Sequence, residues 1–586
     1  MVKGGKMKNE RKNLKKNQLI SFGITLTIII VVNIIASFVY TRFDLTSEKR
    51  YTLSDTSKEI LRNLDDYVYF RVYLEGEFPA GFKKLRKETK EMLDEFRAYS
   101  KFVDYEFINP SESNDAAERN ETYKLLYQSG LNPTELSIQS KDGAQQLVIW
   151  PCALVSYQEK EIPLDLLDTQ LGKSSQDALN NSAQNLEYKF ITAIKDLAQE
   201  KKPSVAFIEG HGELNENEVY DITQSLSKKY NVKRIALDEK ISALTRRTKA
   251  VDSSTIIKPI YDAIIIAKPT QAFSEKDKFI IDQYIMYGGK VLWLVDPVFA
   301  TMDSLQNAES TMGNTLNINL DDMFFKYGVK LNKNLLLDYN SAAIALRTGQ
   351  MGGQAQIEYF RWFYFPLLSS ASNNNIVKNI NPIKADFISS IDPVISDSDV
   401  QKIPLLKTSD YTKISSAPVF ISLSMLRQSP DQRMFSQKGQ NTAYLLKGEF
   451  ESLYANRMTT GIIESEEIGF KTSSEPTSMI VVADGDIIRN QFHIPKGYPL
   501  PLGFDQYTQI TYGNKDFIEN AVSYLVDGEG LIGIRSRELK IRLLDMNKVN
   551  DNTLLWQFVN VIVPSLLVVI FGFVLSIIRK RKYSRK

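Results

Sequence analysis

The sequence predicts an α/β protein: a multi-domain extracytoplasmic region with a doubly wound, mostly parallel sheet in its middle domain, flanked by one transmembrane helix at each end. Three observations predict it. Two long apolar spans carry no charge, short wholly apolar runs alternate with helical patterns, and Gly-, Asn- and Pro-marked turns separate those runs.

The spans are Leu19–Tyr40 and Leu554–Ile578. At 1.5 Å per residue, helices of that length run about 30–37 Å, enough to cross a hydrocarbon core of about 30 Å. Lys3, Lys6, Lys8, Arg11, Lys12, Lys15 and Lys16 precede the first; Arg579, Lys580, Arg581, Lys582, Arg585 and Lys586 follow the second. Because basic flanks stay cytoplasmic, both termini are expected in the cytoplasm and the bulk of the chain on the far side of the membrane. The first apolar stretch is longer than a signal-peptide core and no small-x-small site follows it, which reads as an uncleaved anchor. Asn560 and Pro564 interrupt the second. They fit either a mildly kinked anchor or a helix packed on a partner's membrane helices. The expected division is a basic tail (1–18), a membrane helix (19–40), an N-terminal α/β region (41–171), a middle doubly wound domain (172–341), a C-terminal α/β region (342–553), a second membrane helix (554–578) and a basic tail (579–586).

The formal charge of +2 hides its distribution. Each tail carries about +6, which leaves about −10 for the chain between them. An acidic ectodomain argues against nucleic acid, whose phosphates need a basic footprint. A single cysteine, Cys152, excludes an internal disulfide, and Trp150-Pro151 before it and Ala-Leu-Val after it read as a buried strand. With only His211 and His493 besides, clustered zinc ligands are missing, so no metal and no cofactor are expected.

Taken in order, Ser54 is a candidate N-cap for a helix whose apolar face is Ile60, Leu61 and Leu64. Tyr67–Leu74 reads as a strand, Phe82–Phe102 as an amphipathic helix and Val103–Ile108 as a strand ending at Asn109-Pro110. A helix around Glu121–Gln128 follows, then a hairpin with strands Leu136–Gln139 and Gln146–Tyr157 turning at Lys141-Asp142-Gly143. Gly172–Ser182 reads as a polar loop, and Asn185–Ala198 as a helix. The middle segment alternates most clearly: strand Ser204–Ile208, helix Asn217–Lys229, strand Tyr261–Ala267, helix Glu275–Tyr287 closed by Gly288-Gly289, strand Lys290–Val295. Continuous apolar strands between helices signal a parallel sheet covered on both faces. Beyond Ala342, the stretch TGQMGGQAQ reads as a flexible loop. The aromatic run Tyr359–Pro366 reads either as core or as an exposed partner patch, Met479–Ala483 as a strand before the turn Asp484-Gly485-Asp486, and Asp516–Val526 as a helix.

Neither a P-loop nor a G-x-S-x-G elbow occurs, so ATP hydrolysis through the one and a serine-esterase site built on the other are excluded. The turn Gly210-His211-Gly212-Glu213 follows a strand at the edge where doubly wound sheets bind ligands, and Asp296 occupies the same position after another strand. His211 and Glu213 suit acid–base work or anion binding, while the glycines equally suit a structural or protein-binding turn. The structural or partner-binding reading is preferred. Asp484 and Asp486 read as turn formers rather than metal ligands.

Several segments together resemble the gliding-motility-associated ABC transporter auxiliary family, the GldG family: RFDLTSEKRYTLS after the first span, then IEGHGE, YGGKVLWLVDP, LLKGEFES, MIVVADGD and NKDFIENAVSYL…LIGIRSR, in that order. The middle segment is also similar to folds of glutamine-amidotransferase-like and intraflagellar-transport domains, although Cys152 lies outside its strand–turn–helix units and matches no amidotransferase nucleophile. The resemblance implies a non-ATPase, non-enzymatic subunit working with a separate ATPase and a permease, and with motility or secretion components. It marks Arg42, Asp44, Leu45, Thr46 and the Gly210–Glu213 turn as shared features without a role. The alternative is a periplasmic solute-binding or sensing protein with its ligand near His211 and Glu213, and a lesser rival is a membrane-anchored hydrolase using the same pair.

Overall fold

The computed structural model describes residues 20–33, 52–140, 143–167, 175–199, 201–249, 255–305, 308–351, 354–395, 399–426, 431–494, 496–535 and 553–583. The chain divides into two units, one joining Met1–Thr52 with Glu538–Lys586 and the other spanning Leu53–Arg537.

In the first unit, the helix Thr553–Tyr583 has an apolar stretch, Leu555–Arg581, with mean hydropathy 2.9, long and apolar enough to cross a membrane. The expected N-terminal span is not shown as a crossing helix. Its described part, Ile20–Asn33, is apolar but covers only about 21 Å at 1.5 Å per residue, and residues 34–40 lie outside the described residues. Its polar side chains fold back on their own helix: Thr25 Oγ1 donates to the Ser21 carbonyl and Asn33 Nδ2 to that of Ile29, each at 2.9 Å. That arrangement hides polar atoms from an apolar medium.

The second unit begins with α1 (Asp55–Arg62), whose N-cap Ser54 accepts from the Ser57 amide at 3.0 Å. Then come β1 (Val68–Val72), α2 (Ala80–Tyr99), β2 (Val103–Phe107) and α3 (Ala116–Gln128). The hairpin of β3 (Thr134–Ser140) and β4 (Gly143–Ile149) follows, and the expected single long second strand is two. β5 (Cys152–Tyr157) leaves the hairpin, running antiparallel to β1 and pairing with β6 (Lys160–Asp165), in a sheet ordered β2-β1-β5-β6. The loop expected at Gly172–Ser182 is corrected: Ser175–Gln184 forms α4, whose Leu179 packs on the core next to α2. Tertiary packing outweighs its polar composition. α5 (Leu186–Ala198) covers the same core.

A ten-stranded sheet dominates the unit. Its first strands are β7 (Ser204–Glu209), followed by α6 (Tyr220–Lys229), then β8 (Asn231–Ala236) and β9 (Ala263–Ala267), α7 (Glu275–Met286), β10 (Val291–Leu294) and α8 (Asp321–Tyr327). Later strands are β11 (Ser341–Met351), β12 (Gln354–Ser370), β13 (Gln401–Lys407), β14 (Asn441–Gly448) and β15 (Thr477–Val482), before α9 (Asn514–Asp527) and α10 (Glu529–Arg535). The order is β11-β12-β13-β14-β15-β10-β9-β7-β8, with the two-residue strand Ile383–Lys384 beside β12. From β8 to β15 every pairing is parallel; from β15 to β11 every one is antiparallel. The expected mostly parallel, doubly wound sheet is therefore corrected to a mixed one. Parallel neighbours need crossover helices. Among the described residues no α-helix lies between Tyr327 and Thr460, so the strands there pair antiparallel.

Both faces of the parallel half are buried, which explains its unbroken apolar runs. Val205, Phe207, Ile265, Leu292 and Ile480 face the α6 and α9 side; Ala206, Ile264, Trp293 and Val481 face the α7 and α8 side. The expected loop TGQMGGQAQ is likewise corrected, because its described residues belong to β11 and β12. In the aromatic run, Trp362, Phe363, Tyr364 and Phe365 are buried in a core that also holds Phe387 and Phe435. The start and end of the unit share one core: Leu53 lies in the same cluster as Leu531 and Ile534 of α10, packed with Phe70, Phe96 and Phe190.

Candidate functional site

The chain runs from β7 out to β8 on one side and then crosses back to β9 on the other. The carboxyl ends of β7 and β9 thus flank the switch point at which open α/β sheets form their ligand crevice. Here the protein's own groups occupy it. Gly210 and Gly212 adopt φ of +115° and +72°, which turn the chain back over the strand ends. A Cβ on Gly212 would meet Thr270 Oγ1 at 2.2 Å, so glycine is needed for contact as well as conformation. The His211 carbonyl accepts from the amides of Thr270 and Gln271 at 2.9 and 2.8 Å, and Thr270 Oγ1 donates to the Gly212 carbonyl at 3.0 Å.

His211 itself is buried, stacked on Phe273 with ring centres 3.7 Å apart. Its Nδ1 faces Glu213 Oε1 at 3.3 Å and its Nε2 faces Asp277 Oδ2 at 3.2 Å. Burial alone would lower the imidazole's pKa, but the two carboxylates overcome it and raise it. Asp277 is held in turn by Ser274 Oγ at 3.0 Å and the Glu239 amide at 3.0 Å. With both ring nitrogens engaged, His211 works as a clamp between the loops after β7 and β9.

Asp296 belongs to a second fastening on the same edge. Lys268, one residue past β9 and at φ +56°, directs Nζ to Asp296 Oδ2 at 3.3 Å and to Asp486 Oδ2. Asp296 also accepts from the Gly485 amide, and Asp484 accepts from the amides of Asp486 at 2.7 Å and Asp386 at 2.8 Å. Gly485 lies against Lys268, where an added Cβ would meet the lysine Cβ at 2.5 Å. Burial opposes the charge on Lys268, but Asp296 and Asp486 raise its pKa. Burial raises Asp296, Lys268 pulls it back and Asp486 pushes it up again, leaving it at about 6. Asp484, wholly buried with Asp296 and Asp486 as like-charged neighbours, is raised well above the ordinary aspartate value. The cluster is one ammonium among carboxylates, and among the described residues no group of three or more His, Cys, Asp and Glu is arranged to hold a metal ion.

The fold thus brings Gly210–Glu213 together on the residue 268–271 loop, whose Lys268 reaches Asp296. Arg42, Asp44, Leu45 and Thr46 lie outside the described residues. Cys152 is buried beside Trp150, Leu126 and Leu131, and burial pushes its thiol pKa up, leaving it protonated. Sequence reasoning missed Lys268, Phe273 and Asp277. A charged residue directly after AIIIA was one available signal, and Ser274 three residues before Asp277 was another.

A family model described as an ABC-type uncharacterized transport system, an auxiliary component by its label, matches residues 202–521. A second, described as a domain of unknown function, matches residues 47–156. A Borreliella burgdorferi protein described as uncharacterized is 22% identical over 573 residues, covering 97% of this chain and 99% of its own length. Among solved structures, one titled "mmIFT52 N-terminal domain" aligns with a TM-score of 0.31 and 11% identity, over 56% of this chain and 98% of its own.

Proposed function

This chain belongs to the ABC-type uncharacterized transport system family, and from that premise we propose that it is a membrane-anchored, non-ATPase accessory subunit of an ABC transporter complex. In this reading it assembles with a permease and a separate ATPase, both membrane helices pack on the permease, and the termini face the cytoplasm. The periplasmic unit couples ATP-driven movement to a periplasmic partner, with gliding motility or secretion as the process served. The observation that carries the proposal is the family match over the whole ten-stranded sheet, beside a C-terminal helix fit to cross a membrane. The shared core of Leu53, Leu531 and Ile534 supports the coupling, because the chain enters and leaves the compact unit through one set of packed side chains. The closed crevice at His211 favours a scaffolding role for this edge over solute capture.

The test is a mild-detergent affinity pull-down of the full-length protein followed by mass spectrometry. Recovery of an ABC ATPase with a multi-span permease is expected. Recovery of neither, with the bait folded and intact, overturns the proposal.

A further inference from the structure

A cavity of about 820 Å³ opens beside α8, within the range of small-ligand sites. Its floor is fixed: Leu331 and Leu453 are buried, and buried Asp282 accepts from Ser452 Oγ at 2.7 Å, the Leu453 amide at 2.8 Å and Tyr327 Oη at 2.8 Å. Its charged lining is Lys326, Lys330, Lys333 and Arg457 against Asp321 and Asp322. Both acids are already answered. Asp321 pairs with Lys333 at 2.8 Å, and Asp322 with Lys278 at 2.8 Å and Arg457 at 3.4 Å. Lys326 pairs with Glu451 at 2.8 Å. Among the described residues no carboxylate lies within 4.0 Å of Lys330 Nζ. Its cross-strand neighbour Asp392 is engaged by Asn332 Nδ2 at 2.8 Å. In a chain segment that is acidic as a whole, this groove concentrates positive charge over an apolar floor.

We propose that this groove binds an acidic peptide segment of a partner protein. Carboxylates of the segment pair with Lys330 and Arg457, an aliphatic or aromatic side chain rests on Leu331 and Leu453 against half-exposed Phe325, and the exposed Asn456 amide meets the peptide backbone. Charge complementarity selects the occupant. The negative charge of the chain between its basic tails disfavours a dense polyanion such as nucleic acid but leaves room for a segment with a few spaced carboxylates. The inference is independent of the transporter assignment, because it concerns a surface and not the identity of the complex.

The experiment is fluorescence anisotropy with full-length protein in detergent and a labelled decapeptide alternating Glu with Leu and Ser, beside a Lys-for-Glu peptide and a single-stranded oligonucleotide of equal charge. Saturable binding of the acidic peptide alone is expected, weakening as salt rises. The double substitution Lys330→Glu/Arg457→Glu weakens it about tenfold or more, while Phe325→Ala weakens it less and leaves the melting temperature unchanged. Should the charge-reversed protein not fold, Lys330→Gln/Arg457→Gln serves, with the same direction of effect. No binding of the acidic peptide, binding insensitive to these substitutions, or equal binding of the oligonucleotide overturns the proposal.

Discussion

Two fastenings hold the carboxyl edge of the parallel half-sheet, and they solve the same problem with different chemistry. The His211 clamp seats an imidazole between two carboxylates, Glu213 and Asp277, with Phe273 as its platform. The Lys268 cluster surrounds one ammonium with Asp296 and Asp486 and keeps Asp484 beside them. The first is the shorter in sequence, joining the turn after β7 to Asp277 in the first turn of α7, 66 positions on. The second joins residues 218 positions apart, Lys268 and Asp486. What this difference teaches is that removing the cation should hurt the second more. Without Lys268 the buried Asp296 keeps the Gly485 amide and Asp486 keeps Arg489 at 3.5 Å, but no cation is left between the two carboxylates, whereas Asp277 retains Ser274 and an amide.

Lys268→Met tests this most severely. Leaving buried acids without their partner is expected to cost about 3–5 kcal/mol, read as the loss of unfolding free energy in urea. His211→Ala, which removes stacking and both ring contacts, should cost about 2–3 kcal/mol in the same assay; equal costs for the two variants would erase the distinction. Gly212→Ala combines positive φ with the Thr270 contact and should cost about 2 kcal/mol.

The pH response sharpens the comparison. His211 holds its proton more tightly folded than unfolded, so its contribution is whole below the ordinary histidine value of about 6.5 and fades as pH rises through the higher folded value. The stability of the wild type should therefore fall on going from pH 6 to pH 8, and His211→Ala should flatten that slope. Asp296, raised to about 6, contributes a decline at lower pH, from the ordinary aspartate value up to its own.

Much of the parallel half was legible because its strands are short, apolar and bounded by turns. AIIIA and VLWL carry their burial on both faces in their composition. The Gly210–Glu213 turn was legible as a turn, and Asp296 as a strand-end carboxylate. Their partners were not, since nothing in the spacing of Lys268 and Asp486 marks them as neighbours. The segment Gly172–Ser182 read as a loop from its polar content, yet from Ser175 on it is helical, where Leu179 finds a core to cover.

By itself the sequence determined the apolar C-terminal helix, the α/β class, the succession of β7, α6, β9, α7 and β10 without the edge strand β8, and the acidic charge between basic tails. Each follows from local composition and period. Tertiary structure alone decided that β15 enters between β10 and β14, turning a parallel sheet into a mixed one, and that the strands on either side of Gly352-Gly353 pair with each other. It also decided that the chain's switch point is filled by His211 and its neighbours. The reason is physical: pairing partners, buried charge and crevice filling depend on groups far apart in the chain, and local pattern carries no record of which distant group completes them.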